Sequence, residues 1–253
     1  GDYDGRNPAD VGMINLDDDT AGISVSAISG TTSESGDPAT FTIVLNSEPV
    51  ATVTVNLSSS DTQEGTVDPS SFDFDAGNWN VPREITVTGV DDAVDDGDQA
   101  FDVLIGSVSA DGNYNGLSDS IAVTNVDDDT AGISVSDISG DTSESGDSAS
   151  FTIVLDSQPT ADVTIGLSST NVDEGTVSNA NLTFTAVDWN TPHLVTVSGV
   201  DDQVVDGDVA YEITISPASS SDPLYDGIDP DDLMLLNIDD DLPPEVFKDG
   251  FEG

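Results

Sequence analysis

The sequence repeats itself after 110 residues, and this repeat limits the folds that the chain can adopt. Residues Asp17–Ser26 recur as Asp127–Ser136, which is an offset of 110 positions. The same offset holds for about 90 residues and includes the acid pairs at 91–92 and 201–202. A period of this length matches the size of one ordinary domain. The sequence therefore predicts two domains of the same fold in tandem.

A third, partial copy lies at the amino end of the sequence. Residues Tyr3–Asp19 resemble Tyr225–Asp241, because both run from Tyr-Asp-Gly to Asp-Asp-Asp. We therefore expect the chain to begin with the last strand of a preceding or complemented repeat. The predicted divisions are 1–19 for that strand, 20–129 for the first repeat, 130–241 for the second repeat and 242–253 for a tail.

Within each copy the apolar residues alternate with polar ones, and many of them are β-branched. Alternation with a period of two predicts strands, and clusters of Gly, Asn, Asp and Pro between them predict turns. In the first copy the expected strands lie near 21–29, 38–46, 51–58, 66–74, 83–89, 100–107 and 118–126. Seven short strands in a domain of this size are typical of a sandwich. The predicted fold class is all-β, with two tandem seven-stranded Ig-like β-sandwiches.

The charge of the chain excludes several classes of partner. There are 51 Asp and Glu residues against three Lys and Arg, so the formal net charge is -48. Such a surface repels nucleic acid and anionic lipid. No apolar run approaches the roughly 18 residues of a membrane span, so we expect no membrane insertion. Cysteine is absent from the sequence, which leaves neither disulfides nor thiolate ligands to support the fold.

The acidic residues follow every second predicted strand. In the first copy they are Glu34, Asp61 with Glu64, the segment 91–98 and the segment 127–129. Because the chain reverses direction at each gap of an antiparallel sandwich, every second gap lies at the same end. The intervening gaps carry far fewer acids. The sequence therefore predicts one acidic end in each sandwich.

Clustered carboxylates repel one another unless a cation lies between them. Calcium takes six to eight oxygen ligands in flexible geometry, which several acidic loops can supply. Magnesium keeps most of its water and needs fewer carboxylates. Zinc prefers His or Cys, and the chain has one His and no Cys. Calcium is therefore the predicted cofactor. The alternative is a solvated acidic surface of a halophilic or secreted protein.

At these motifs the sequence resembles the Calx-beta domain, in the form found as repeats in large secreted and surface proteins of bacteria. The resemblance covers both repeats and is carried by Ser33-Glu-Ser-Gly36, Glu64-Gly-Thr66, Val90-Asp-Asp92 and the Asp-Asp-Asp run followed by Ala-Gly. It implies an Ig-like sandwich with calcium ions at one end. Carried over residue by residue, it implies calcium ligands at Glu34, Asp91, Asp92, Asp127, Asp128, Asp129, Glu144, Asp201, Asp202, Asp239, Asp240 and Asp241.

Two positions depart from the family pattern, and one group of acids stands apart. After the third strand an acid is expected; the counterpart of Asp61 is Asn171, so Glu64 and Glu174 are the steadier candidates. In the following acidic segment Asp95 fits the pattern, its counterpart is Val205, and Asp96 with Asp206 can take its place. The amino-terminal acids Asp17, Asp18 and Asp19 complete the set of predicted metal ligands, although their partner loops are missing.

These observations predict a calcium-binding structural or adhesive module outside the cell, in which calcium at the acidic end and at the joint between repeats makes a rigid rod. Two alternatives remain open: a calcium sensor, and a subunit of a fibre assembled head to tail through a strand at Asp10–Leu16. The possible partners are calcium, neighbouring repeats and other copies of the chain. An enzyme is not expected, because the carboxylates lie in repeated turns and His193 is replaced by Arg83 in the other copy.

Overall fold

A computed structural model describes residues 4–7, 9–16 and 18–242. The described residues form strands and connections without a helix, so the predicted all-β, Ig-like class is confirmed. Accordingly, no helix long and apolar enough to cross a membrane occurs among them. The predicted metal ligand Asp17 and nearly all of the predicted tail lie outside the described residues.

The chain divides into two compact units. The first contains the described residues up to Val90 together with Gln99–Val126, and the second contains Asp91–Asp98 together with the residues from Asp127 onward. The acidic segment 91–98 connects two strands of the first unit, yet it is grouped with the second. Residues 127–129, which the sequence analysis placed in the first repeat, also belong to the second unit, and the predicted division at residue 129 stays a prediction.

The first unit contains two sheets. Its strands are β1 (Ile23–Val25), β2 (Thr32–Ser33), β3 (Pro38–Leu45), β4 (Val53–Ser59), β5 (Gly65–Asp68), β6 (Ser71–Phe74), β7 (Arg83–Gly89), β8 (Gln99–Ser109) and β9 (Ser118–Val126). One sheet has the order β1-β3-β7-β5 and the other has the order β2-β9-β8-β4-β6.

The second unit repeats this arrangement. Its strands are β10 (Ile133–Val135), β11 (Thr142–Ser143), β12 (Ser148–Leu155), β13 (Val163–Ser169), β14 (Gly175–Val177), β15 (Asn181–Phe184), β16 (His193–Gly199), β17 (Val209–Ile215), β18 (Ser219–Ser220) and β19 (Leu233–Ile238). The sheet orders are β10-β12-β16-β14 and β11-β19-β17-β13-β15, with β18 added beside β13.

Alternation along the strands builds each core. In β3 every second residue is buried, and the same pattern recurs in β12, where Phe151, Ile153 and Leu155 are each at most 2% exposed. Inward residues of β13, β15, β16, β17 and β19 belong to the same apolar cluster of the second unit. This is the packing expected when two sheets bury their inner faces against each other.

One predicted strand is two strands in the structure. The expected strand at 66–74 divides into β5, which pairs with β7, and β6, which pairs with β4 in the other sheet. The change of sheet takes place at Pro69 and Ser70, where the alternation shifts its phase, since the inward apolar residue before it is Val67 and those after it are Phe72 and Phe74. The predicted strand at 21–29 is also shorter, since its regular part is β1 alone.

In each unit the second strand pairs with the last strand, and the first strand pairs in the other sheet. In the first unit, β1 is antiparallel to β3, whereas the two-residue β2 is parallel to the carboxyl end of β9. The second unit has the same pairs, β10 with β12 and β11 with β19. The chain therefore moves from one sheet to the other within the few residues between β1 and β2.

The amino-terminal segment predicted as a strand at 10–16 forms no strand in the described residues. Its apolar side chains are exposed: Val11 by 81%, Met13 by 91%, Ile14 by 87% and Leu16 by 82%. A strand requires a hydrogen-bonding neighbour, and this segment has none within the described part of the chain.

Candidate metal centre

The end of the second unit collects acids from four connections. Because β11 is parallel to β19, Glu144 and Asp239 follow their strands at the same end of the sheet. The backbone N–H of Glu144 donates to the carbonyl of Ile238 at 3.0 Å. Asp201 follows β16, and Glu174 precedes β14. The structure thus brings together acids that lie up to about 100 positions apart in the sequence.

Asn237, which the sequence analysis did not single out, joins three of these connections. Its side-chain oxygen accepts a hydrogen bond from Thr142 Oγ1 at 3.1 Å. Its Nδ2 donates to the carbonyl of Val200 at 3.0 Å and to Glu174 Oε2 at 3.3 Å. In the first unit Asn125 makes the matching bonds to Thr32 and Val90. Repetition of Asn two positions before the acidic run was the available sequence signal.

The acids of the second unit form two overlapping triads, here called the Glu144 cluster. One consists of Glu144, Asp239 and Asp241, and the other of Glu144, Asp201 and Asp240. Within each triad, one carboxylate oxygen from every residue lies within 4.8 Å of the others. Two oxygens bound to one calcium ion can be at most ~4.6–5.2 Å apart, twice the calcium–oxygen distance. Both triads therefore have dimensions that suit a calcium ion.

Glu144 is the buried member of both triads. It is 7% exposed, and its Oε2 has no hydrogen-bond partner among the described residues. Asp241 Oδ2 is likewise buried without such a partner. Burial of an ionised carboxylate costs free energy unless hydrogen bonds or a cation compensate for the lost water. Glu144 Oε2 and Asp241 Oδ2 are therefore the positions at which no hydrogen bond from the described residues compensates for the lost water.

The charges of the cluster act against one another. Burial raises the pKa of Glu144, and the neighbouring Asp202, Asp239 and Asp241 raise it further, while the backbone N–H of Asp240 acts in the opposite direction. Burial also raises the pKa of Asp241, with further increases from four neighbouring aspartates. Both carboxylates therefore hold a proton more tightly in the fold than in the unfolded chain.

This electrostatic arrangement predicts that the metal-stripped protein becomes more stable as the pH falls from 7 toward 4.5. The ordinary pKa values are 4.5 for Glu144 and 3.8 for Asp241, and both are raised in the fold. The folded state then holds these protons more tightly than the unfolded chain. The resulting stability is complete below the ordinary pKa and is lost as the pH rises through the folded pKa. Differential scanning fluorimetry of metal-stripped protein measures the change in melting temperature.

The control for this experiment is the double variant Glu144→Gln with Asp241→Asn. Because it lacks both titrating carboxylates, its melting temperature should rise less than that of the parent as the pH falls. An identical rise in both proteins would show that the general repulsion of the acidic surface, and not the cluster, causes the effect.

Backbone hydrogen bonds hold Asp239 in place within the Glu144 cluster. Asp239 Oδ1 accepts from the N–H of Asp241 at 2.8 Å, and Asp239 Oδ2 accepts from the N–H of Gly207 at 2.7 Å. The N–H of Asp239 in turn donates to Asp208 Oδ1 at 3.3 Å. Since a carboxylate oxygen has two lone pairs, each Asp239 oxygen can bind a cation while it keeps its backbone bond.

The acids predicted for the first repeat are divided between the two units. Glu34 and Glu64 belong to the first unit, where Glu34 is 7% exposed and its N–H donates to the carbonyl of Val126. The amino-terminal Asp18 and Asp19 are exposed members of the same unit. The other predicted ligands of this repeat belong to the second unit; they are Asp91, Asp92, Asp127, Asp128 and Asp129.

Within that second group, Asp129 resembles Asp241. Its Oδ2 is buried and has no hydrogen-bond partner in the described part of the chain. Burial raises its pKa, and the charges of Asp127, Asp128, Asp91 and Asp92 raise it further. These five aspartates therefore lie near one another. Their role as metal ligands, like that of the Glu144 cluster, stays a prediction.

Comparisons with known proteins give structural likeness alone. No family model and no curated protein sequence matches the chain. Among solved structures, calcium binding domain CBD12 of CALX1.1 is 13% identical, with a TM-score of 0.37 over 85% of this chain and 99% of that one. S-layer protein SbsC domains 4 and 5 are also 13% identical, with a TM-score of 0.34 over 87% and 98%. The E. coli chaperone DraB is 10% identical, with a TM-score of 0.32 over 85% and 98%. Likenesses at this level carry no argument about function.

Proposed function

We propose that the chain binds calcium at the Glu144 cluster. The observation that supports this most directly is the buried carboxylate of Glu144, because Glu144 is a member of both acidic triads and its Oε2 lacks a hydrogen-bond partner among the described residues. A cation there removes the cost of a buried charge and the repulsion between carboxylates at once. Because Glu144 is common to both triads, its carboxylate can bridge two ions.

The ligand chemistry favours calcium over other common metals. Every side chain of the two triads offers carboxylate oxygen, and nearby carbonyls such as that of Val200 offer the same donor type. Oxygen ligands in numbers above four suit calcium, whereas zinc prefers nitrogen and sulfur. The Asp91–Asp92 and Asp127–Asp129 group repeats this chemistry, so we propose a second calcium centre there.

We further propose that the module is structural or adhesive, acts outside the cell and belongs among Calx-beta repeats. Two Ig-like sandwiches follow one another in the chain, and six residues separate β9 from β10. A short connection that binds calcium through its aspartates stiffens the path of the chain, which suits a rod. Extracellular modules bind calcium at ~10⁻⁴–10⁻³ M, whereas sensors bind at ~10⁻⁷–10⁻⁵ M. A dissociation constant in the lower range would support the sensor function in place of this one.

One observation favours a second candidate, the head-to-tail fibre. Residues 9–16 carry four exposed apolar side chains, form no strand within the described chain, and repeat the sequence pattern of β19. An exposed segment of this kind can pair with the sheet of another copy. Negative-stain microscopy with calcium, before and after deletion of residues 1–19, tests this: fibres that persist unchanged would exclude the segment as the connector.

The variant Glu144→Gln tests calcium binding at the cluster. It removes the shared charge and one strong oxygen ligand while it keeps the shape of the side chain. We expect calcium affinity at the cluster to fall at least ~10-fold, since even outer residues of metal sites cost that much when they are changed. Isothermal titration calorimetry of the full chain with calcium chloride at fixed ionic strength gives the affinity and the number of ions.

The matched control is Glu212→Gln in β17, which changes the same residue type outside the cluster and should leave calcium binding unaltered. Magnesium chloride at equal concentration serves as the second control. Unchanged affinity and ion number in Glu144→Gln would contradict a calcium centre at these triads.

A further inference from the structure

The two long acidic loops of the second unit offer a matched comparison. We call Asp91–Asp98 the first acidic loop and Asp201–Asp208 the second. Both make the same three hydrogen bonds, one within the loop and two with the aspartate that follows the last strand of the sandwich. The backbone N–H of Val94 donates to Asp92 Oδ1 at 2.7 Å, and the backbone N–H of Val204 donates to Asp202 Oδ1 at the same distance. The backbone N–H groups of Gly97 and Gly207 donate to Asp127 Oδ2 and Asp239 Oδ2, each at 2.7 Å. The backbone N–H groups of these two aspartates donate to Asp98 Oδ1 and Asp208 Oδ1, each at 3.3 Å.

Two further hydrogen bonds occur at the first loop. Asp95 Oδ2 accepts from the backbone N–H of Ala131 at 2.8 Å. The carbonyl of Ala93 accepts from the backbone N–H of Gln158 at 2.6 Å. The corresponding residues of the second loop, Gln203 and Val205, make no such bonds within the described chain.

The two acidic loops also differ in how far their side chains are buried. Ala93, Val94 and Asp95 are half-buried, whereas their counterparts are exposed, Val204 by 55% and Val205 by 48%. Within the described residues, the first loop therefore has two more hydrogen bonds than the second, which has only the three that both loops share. A loop with fewer buried contacts opens more easily.

We infer that Asp95 is a positioning residue, which holds the first acidic loop in its calcium-binding conformation before the ion arrives. This rests on the proposed calcium function. It assigns Asp95 a different role from the ligand role that the sequence pattern allowed, because the carboxylate is directed to the backbone of Ala131. Part of the free energy of calcium binding is then used to order the second loop, whereas the first loop is ordered before the ion binds. Preorganisation of this kind raises affinity without adding a contact to the ion.

Two glycine amides report the two loops separately. Gly97 and Gly207 occupy matched positions, and each donates to an aspartate that belongs to its own acidic group. Titration of the ¹⁵N-labelled full chain with calcium chloride, followed by two-dimensional NMR, gives a midpoint for each. We expect the Gly97 midpoint to lie at a calcium concentration about fivefold lower than that of Gly207, the effect of one ordinary hydrogen bond.

Variants of Asp95 separate position from charge. Asp95→Asn keeps an oxygen that can accept from Ala131 but loses the charge, whereas Asp95→Ala loses both. We expect Asp95→Ala to raise the Gly97 midpoint about fivefold and Asp95→Asn to change it less than about twofold. The Gly207 midpoint should stay unchanged in both. Val205→Ala is the control in the second loop and should move neither glycine.

Each outcome decides between the alternatives. Equal losses in Asp95→Asn and Asp95→Ala would show that Asp95 acts by charge or as a ligand, and no loss in either would show that it has no role; both results overturn the inference. If neither glycine responds to millimolar calcium in the parent protein, the proposed calcium function itself fails. A melting temperature of metal-stripped Asp95→Ala close to the parent's excludes general unfolding as the cause of a shift.

Discussion

Removal of calcium is expected to lower the melting temperature of the chain by about 10 °C or more. An ion that binds only the native state adds about 2.7 kcal/mol at 100 times its dissociation constant, a ratio that ~10 mM calcium reaches for a constant of ~10⁻⁴ M. For a domain of about 100 residues, 1 kcal/mol corresponds to ~4–8 °C. The buried, unpartnered oxygens of Glu144 and Asp241 add to the effect, since without an ion their repulsion acts on the fold.

The measurement is differential scanning calorimetry in excess chelator and in millimolar calcium, both at the same ionic strength. Magnesium in place of calcium is the control for general screening of the charge of -48. Equal melting temperatures with chelator and with calcium would contradict calcium binding. Equal increases with magnesium and calcium would show that any divalent cation suffices.

Replacement of Gly199 by alanine is expected to destabilise the second unit by about 3 kcal/mol, at the upper end of the usual cost of overpacking. Gly199 ends β16, and Val200 alone separates it from the second acidic loop. A Cβ at this position would lie 2.5 Å from the carbonyl oxygen of Ser143 and 2.5 Å from Asn237 Oδ1. Displacing either atom would cost free energy, because the Ser143 oxygen belongs to the backbone and Asn237 Oδ1 accepts a hydrogen bond from Thr142.

The control is Gly106→Ala in β8, where an added Cβ meets no atom within 4 Å and the free energy of unfolding should change little. Denaturation in guanidinium chloride gives both values. A loss below about 1 kcal/mol for Gly199→Ala would mean that β11 and β16 can separate at little cost. Calcium binding at the Glu144 cluster should weaken together with stability, because Ser143 and Glu144 are adjacent.

Much of the fold could be predicted from the sequence. Strands such as β3 and β7 alternate cleanly, so their positions follow from a period of two. The meeting of Glu144 with Asp201 and Asp239 also follows, because a chain that reverses at every gap returns every second gap to one end. The internal repeat strengthened both predictions, since each feature occurs twice at a fixed spacing.

Other features depend on contacts that leave little mark in a single sequence. The change of sheet between β5 and β6 takes two residues, and its trace in the sequence is a shift in the phase of the alternation between Val67 and Phe72, which the prediction of one strand overlooked. Asn237 is an ordinary polar residue in sequence, and its role appears only when three connections meet around it. The same holds for Asp95: its type suggests a ligand, whereas its direction toward Ala131 is a matter of packing.

The pairing of the first and last strands has a mechanical consequence. Within the first unit, β2 runs parallel to β9 and β1 runs antiparallel to β3. A pulling force applied at the two ends of this sandwich acts along these strands. It loads their hydrogen bonds in shear, so several bonds must break together, whereas a force across the strands would open them one at a time. Rupture under tension is then governed by the rate of unfolding and not by equilibrium stability. The fold resists stretching most strongly in the direction in which the polypeptide enters and leaves it.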